Sequence, residues 1–147
     1  MRILTSVLSL TILVTAAALA MSHHALNGTW SLLPDRSDFG GRPALRSGSV
    51  TINDREGNIG IARDFTFDGG NATYMENFSL DGREGSSIRN GKTFKTKAKW
   101  EHDNLMVTTV QDGVTTVEHY WLGPEGGLHL TVETPGHPPI QLVFQRQ

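Results

Sequence analysis

The sequence predicts one all-β domain, an up-and-down antiparallel meander of eight to ten strands closed into a barrel. Three observations carry this. Turn chemistry recurs at short intervals, the runs between turns are rich in Thr, Val, Ile and aromatic residues, and no segment has a convincing helical period. The runs also alternate, so that one face is apolar and the other, as in Thr93, Lys95, Lys97 and Lys99, is made for water. A long meander with one apolar face hides it by closing on itself, which also removes its exposed edges.

The opening residues, MRILTSVLSLTILVTAAALA, have a single charge at Arg2, an apolar run, and Ala18 and Ala20 flanking Leu19. That is the layout of a secretory signal with an A-x-A cleavage site over residues 1–20. An uncleaved anchor is the alternative, because the run is about as long as a short membrane span. Residues 21–25 then form a leader, residues 26–147 the barrel, and the expected location is the periplasm or the extracellular space. An exported chain with no cysteine has no disulfide framework and depends on its core. Apart from Arg2, twelve basic and fifteen acidic side chains leave no basic field for a nucleic acid. The expected state is a monomer.

The first strand falls near residues 27–33. Residues 34–48, PDRSDFGGRPALRSG, are the one long irregular piece and a candidate lid. Turns follow over Asp54 to Asn58, Asp68-Gly69-Gly70-Asn71, Asp81-Gly82, Asn90-Gly91, Asp103-Asn104, Asp112-Gly113 and Gly123 to Gly127. Taking Gly69-Gly70 as a two-residue loop sets Phe65 opposite Tyr74, Ile61 opposite Phe78, and Arg63 opposite Glu76. Reading Arg89-Asn90-Gly91-Lys92 as a three-residue loop keeps Ile88, Phe94, Thr96, Ala98 and Trp100 on one face. That face continues through Leu105, Val107 and Thr109, then Thr116, Glu118, Tyr120 and Leu122, then Leu128, Leu130 and Val132, and ends with Ile140, Leu142 and Phe144.

Gly28-Thr29-Trp30 at the first strand, the chain of hairpins and the closing LVFQR together resemble the calycin group of lipocalins, fatty-acid-binding proteins and avidins. LNGTWSLLPDRSDFGG also resembles the start of small exported bacterial lipocalin-like proteins, a mostly uncharacterised family. The resemblance implies that Trp30 closes the barrel floor and that Arg146 packs across it as a cation–π pair. The T-D-Y signature, a helix pair in residues 34–48 and a C-terminal R-x-Y are all missing. A shape is implied, without a ligand class.

The interior polar residues are then Arg63, Glu76, Glu118 and Tyr120, with Thr96, Thr109 and Thr116. Charges in a dry interior are costly, so a lumen holding a small apolar or amphiphilic molecule is one explanation. Arg63 and Tyr120 would meet its head group beside Glu76 and Glu118, and Phe65, Tyr74, Phe78, Phe94 and Trp100 would line the apolar part. The bland explanation is an Arg63–Glu76 pair that only holds register, in a filled barrel serving as an envelope interaction module. A third is a small enzyme using Glu76 and Glu118, although no nucleophile motif accompanies them.

If cleavage leaves Met21 first, the free amine and His23 at the third position form a square-planar Cu(II) or Ni(II) motif. No other cofactor is expected. His119 and His129 fall on the outer face of adjacent strands, with Glu133 too remote to complete a metal site.

Overall fold

The structure is a computed structural model that describes residues 24–147. The signal segment, the start of the leader and His23 with its copper motif lie outside the described residues. Within them the chain forms ten antiparallel strands: β1 (Gly28–Leu32), β2 (Leu45–Arg55), β3 (Asn58–Phe67), β4 (Gly70–Ser79), β5 (Gly85–Arg89), β6 (Lys92–Glu101), β7 (Asn104–Gln111), β8 (Val114–Leu122), β9 (Leu128–Glu133) and β10 (Ile140–Arg146). Their order in the sheet is β4-β3-β2-β1-β10-β9-β8-β7-β6-β5. Every neighbour but one is a sequence neighbour, and β1 pairs with β10 to wrap the meander round. The outer strands β4 and β5 are not joined by a backbone ladder, so the barrel is nearly closed, with a seam between them.

The expected alternation holds from β6 to β10. Trp100 faces Leu105, Val107 faces Glu118, Tyr120 faces Leu130, and Leu142 faces Leu130 from the other side. These positions supply the buried core together with Trp30, Val50, Ile52, Ile59 and Ile61. The floor is built as the calycin resemblance implies. Trp30 pairs with Arg146 across β1 and β10, and the guanidinium sits 4.2 Å from the Trp30 ring. Arg146 Nη1 and Nη2 also donate to the carbonyls of Asn27 and Ala25, each at 2.8 Å. Trp30 Nε1 donates to the Leu26 carbonyl at 2.9 Å, tying the His24–Leu26 3-10 turn beneath the floor.

Two hairpins differ from expectation. Between β3 and β4 the loop is Asp68-Gly69, with Phe67 facing Gly70, so every pair shifts by two: Arg63 faces Tyr74, Ile61 faces Glu76, and Ile59 faces Phe78. Alternation is blind to a two-residue shift because no side chain changes face. Between β5 and β6 the loop is two residues, not three. Asn90 and Gly91 both have left-handed φ values, 50° and 75°, the signature of a type I′ Asn-Gly turn. Arg89 therefore faces Lys92, which turns β5 over. Ile88 points outward, 74% exposed, while Ser87 and Arg89 point inward.

Residues 34–44 run over the barrel mouth after a short 3-10 turn at Pro34–Arg36. They are fastened at one end. Asp38 and Gln141 exchange two backbone hydrogen bonds of 2.7 Å, and Ser37 Oγ accepts from the Val143 backbone N–H at 3.1 Å. The segment is thus a strap whose later part, from Phe39 to Pro43, reaches the lumen.

Candidate functional site

Arg63 sits on β3 among apolar neighbours because successive side chains of a strand alternate between faces, and Arg63 shares the inward face with Ile59, Ile61 and Phe65. It is 1% exposed. A guanidinium carries five N–H donors in a rigid fork, so at this depth it needs acceptors on several sides. Strand β8 provides two of them, Glu118 and Tyr120, and the neighbouring strand β4 provides Glu76. Arg63 Nη2 donates to Glu118 Oε2 at 2.5 Å and to the Tyr120 hydroxyl at 2.7 Å, Nε donates to the same hydroxyl at 3.1 Å, and Nη1 donates to Glu76 Oε2 at 3.0 Å. The Tyr120 hydroxyl in turn donates a hydrogen bond to Glu118 Oε2 at 3.2 Å.

The inverted β5 adds a second arginine. Arg89 Nε donates to Glu76 Oε1 at 2.8 Å and Nη2 to Oε2 at 2.5 Å, a bidentate fork, and Ser87 Oγ donates to Oε1 at 2.7 Å. These bonds cross from β5 to β4, so a charged clasp closes the seam where no ladder does. Arg89 also lies over the rings of Tyr74, at 4.7 Å, and Phe94, at 5.1 Å, while Arg63 lies 5.2 Å from the Tyr74 ring. The cluster is two guanidiniums and two carboxylates, formally neutral.

Its electrostatics follow from burial and pairing. Burial alone would drive the Glu76 carboxyl upward, but the hydrogen bonds of Arg89 and Ser87 and the charges of Arg89 and Arg63 hold it below the usual range. Burial opposes the charge of Arg63 too, and Glu118 with its neighbours more than restores it, so the guanidinium stays charged. Tyr120 is pushed well up by burial, with the Arg63 charge opposing, and remains a neutral donor. Because the Glu76 pKa is depressed by folding, its contribution to stability is present above the unfolded value of about 4.3 and is lost as pH falls through the folded value. We expect the difference in melting temperature between wild type and Glu76→Gln, large at neutral pH, to narrow as pH drops below about 4. Thermal melts across that range check this, and a constant difference would contradict it.

Above the cluster lies a cavity of about 370 Å³. Its polar end is Arg63, Arg89, Glu118, Thr109 and Thr116, and its apolar wall includes Phe65, Tyr74, Phe94, Leu130, Val132 and Leu142. Phe39, Arg42, Pro43 and Leu45 bring the strap across its mouth, where Pro43 is exposed and Arg42 half-buried. The Phe65 ring lies over Gly48, its cross-strand partner, where a Cβ would collide with it. Of the residues singled out from sequence, Arg63, Glu118, Phe65, Tyr74 and Phe94 line this cavity. Glu76 and Tyr120 hold Arg63 in place, and Phe78 and Trp100 pack in the hydrophobic core and not on the cavity wall. Arg89 was missed, although the Asn-Gly dipeptide after it is the signal that turns it inward.

Glu76 and Glu118 do converge, but on the guanidinium of Arg63 set between them. On the outer face, His119 Nε2 comes within 3.8 Å of Glu133 Oε2, nearer than the sequence reading allowed, and His129 stacks on Trp121. Among the described residues no group of three or more His, Asp or Glu side chains is placed to hold a metal ion.

The sequence matches no protein-family model, and no curated protein matches it in sequence. Solved structures do match the fold. The fluorescent protein UnaG superposes with a TM-score of 0.67 at 18% identity, covering 82% of this chain and 96% of its own. A Schistosoma mansoni fatty acid binding protein in complex with arachidonic acid gives a TM-score of 0.64 at 17% identity, covering 86% of this chain and 98% of its own. A secretory abundant heat soluble protein from Ramazzottius varieornatus gives 0.65 at 16% identity, covering 84% and 96%. The strand order, the floor contact and these likenesses agree that the chain folds as a ten-stranded, nearly closed meander barrel of the calycin type, with fatty-acid-binding proteins among its structural neighbours.

Proposed function

We propose that this protein is an exported barrel that binds a small hydrophobic or amphiphilic molecule in its lumen. The observation that carries this reading is the cavity of about 370 Å³ between the charged clasp and the strap. A barrel serving only as a filled scaffold has no use for that volume, and pockets that take small molecules begin at about 300 Å³. The lining combines aromatic and aliphatic side chains with the charged cluster and with Arg42 at the mouth, which suits a molecule with an apolar body and a polar group. The arachidonic acid complex of the Schistosoma mansoni protein supports the same reading by likeness of fold. Phe65, Tyr74 and Phe94 would contact the apolar body, and Arg63, Arg89 and Glu118 would form the polar floor on which its head rests. An acid–base enzyme is the weaker reading, since both carboxylates serve the same guanidinium. The test is native mass spectrometry of the protein recovered from the periplasm or medium of its own host. A stoichiometric small apolar mass that leaves on denaturation is the expected result.

A further inference from the structure

The strap delivers a third arginine to the cavity. Phe39, Gly40, Gly41 and Arg42 form a turn in which both glycines have left-handed φ values, 60° and 75°, and the Arg42 backbone N–H donates to the Phe39 carbonyl at 3.1 Å. Gly40 lies tight against the carbonyls of Pro138 and Pro139, where a Cβ would collide, so the turn is pressed onto the loop before β10. Its two ends, Phe39 and Arg42, both line the cavity, and Arg42 is half-buried there. Asp38, the nearest acid in the strap sequence, accepts through Oδ1 from the Gly40 backbone N–H at 2.9 Å. Among the described residues the Arg42 guanidinium has neither a carboxylate within ion-pairing distance nor a hydrogen-bond acceptor.

This leaves the lumen one positive charge in excess. Arg63 and Arg89 are balanced by Glu76 and Glu118, and Arg42 has no counterpart. Arg89 lines the same cavity and uses only its Nε hydrogen and one Nη2 hydrogen on Glu76, so N–H donors remain for a ligand. A half-buried guanidinium has lost part of its hydration with no acceptor in return, and an oxyanion fits its fork with charge-assisted hydrogen bonds. A neutral head group would leave the excess charge uncompensated, and an ammonium would double it. We propose that the lumen selects an amphiphile whose head group is a singly charged oxyanion, with Arg42 as the specificity-determining residue that pairs with that charge from the strap. This rests on the lumenal binding proposed above and adds the sign of the ligand's charge and the residue that reads it.

The experiment is displacement of Nile red from the full-length mature protein, freed of bound lipid, by decanoate, decyl sulfate, decanol and decylammonium at neutral pH. A merely greasy lumen would favour decanol, which loses the least hydration on entering. If Arg42 pairs with the head group, decanoate or decyl sulfate displaces the dye roughly tenfold more strongly than decanol, as one hydrogen bond between charged groups implies, and the stronger of the two names the oxyanion. Arg42→Gln should lower the ratio of anion to decanol about tenfold, Arg42→Lys should restore part of it, and Arg42→Glu should turn the preference towards decylammonium. Decanol as strong as both anions on the wild type, or an unchanged ratio in Arg42→Gln, overturns the proposal while leaving lumenal binding intact. Failure of Nile red to bind at all overturns both. The Arg42 side chain makes no bond that holds the barrel, so its variants should fold, and the wild-type comparison needs none of them.

Discussion

Replacing Arg63 with Met is expected to destabilise the barrel by about 3–5 kcal/mol, the cost typical of breaking a buried ion pair from one side. The reason is what remains behind. Glu76 keeps the fork from Arg89 and the hydroxyl of Ser87, so it stays compensated. Glu118 keeps only the Tyr120 hydroxyl and becomes a buried, unpaired charge. The two carboxylates therefore behave differently in a second step: adding Glu118→Gln to Arg63→Met should recover a large part of the loss, and adding Glu76→Gln should deepen it by orphaning Arg89. Urea unfolding midpoints of the four proteins check the order. A loss below about 1 kcal/mol for Arg63→Met would show that the cluster is solvated and not the interior scaffold described above.

Truncating Trp30 to Ala should cost a similar amount, about 3–5 kcal/mol, by a different mechanism. The ring is fully buried at the floor, where it meets the Arg146 guanidinium on one face and tethers Leu26 through Nε1. Its removal leaves a cavity too well framed by β1 and β10 to collapse, and unfastens the His24–Leu26 turn. Thermal or urea unfolding measures the loss. Trp30→Phe should retain much of the packing and lose the tether, so it should fall between wild type and Trp30→Ala. A Trp30→Ala protein as stable as Trp30→Phe would contradict the floor as the closing contact.

Most of the fold was legible in the sequence because the turns alternate with runs whose inward positions are apolar. From Phe94 to Phe144 one parity choice, propagated through four hairpins, places the buried core residues correctly except Val143, which is buried on the other face of β10. The Trp30–Arg146 contact was legible only through resemblance, since nothing local to either residue links the ends of the chain. The register of Arg63 was not, because moving the loop from Gly69-Gly70 to Asp68-Gly69 changes its partner from Glu76 to Tyr74 without moving any side chain to the other face. The Arg63–Glu76 pair forms all the same, since a guanidinium spans the diagonal between strands. Arg89 was hidden for the opposite reason. Keeping Ile88 inside satisfied hydrophobic pattern, whereas the backbone preference of Asn90-Gly91 decided the turn and sent the isoleucine into solvent. The cavity was not legible at all. Alternation says which side chains face inward, but the space left between them depends on barrel girth and on where the strap of residues 34–44 lies.

We propose, then, that the lumen holds a small hydrophobic or amphiphilic molecule. The most direct measurement is native mass spectrometry of wild type and Val132→Trp, both recovered from the natural host. Val132 lines the cavity, and a tryptophan there would fill much of it. One small apolar molecule per wild-type chain, lost from a folded Val132→Trp, is the expected result. A wild type that carries nothing, or a variant that retains the same molecule in the same proportion, would contradict it.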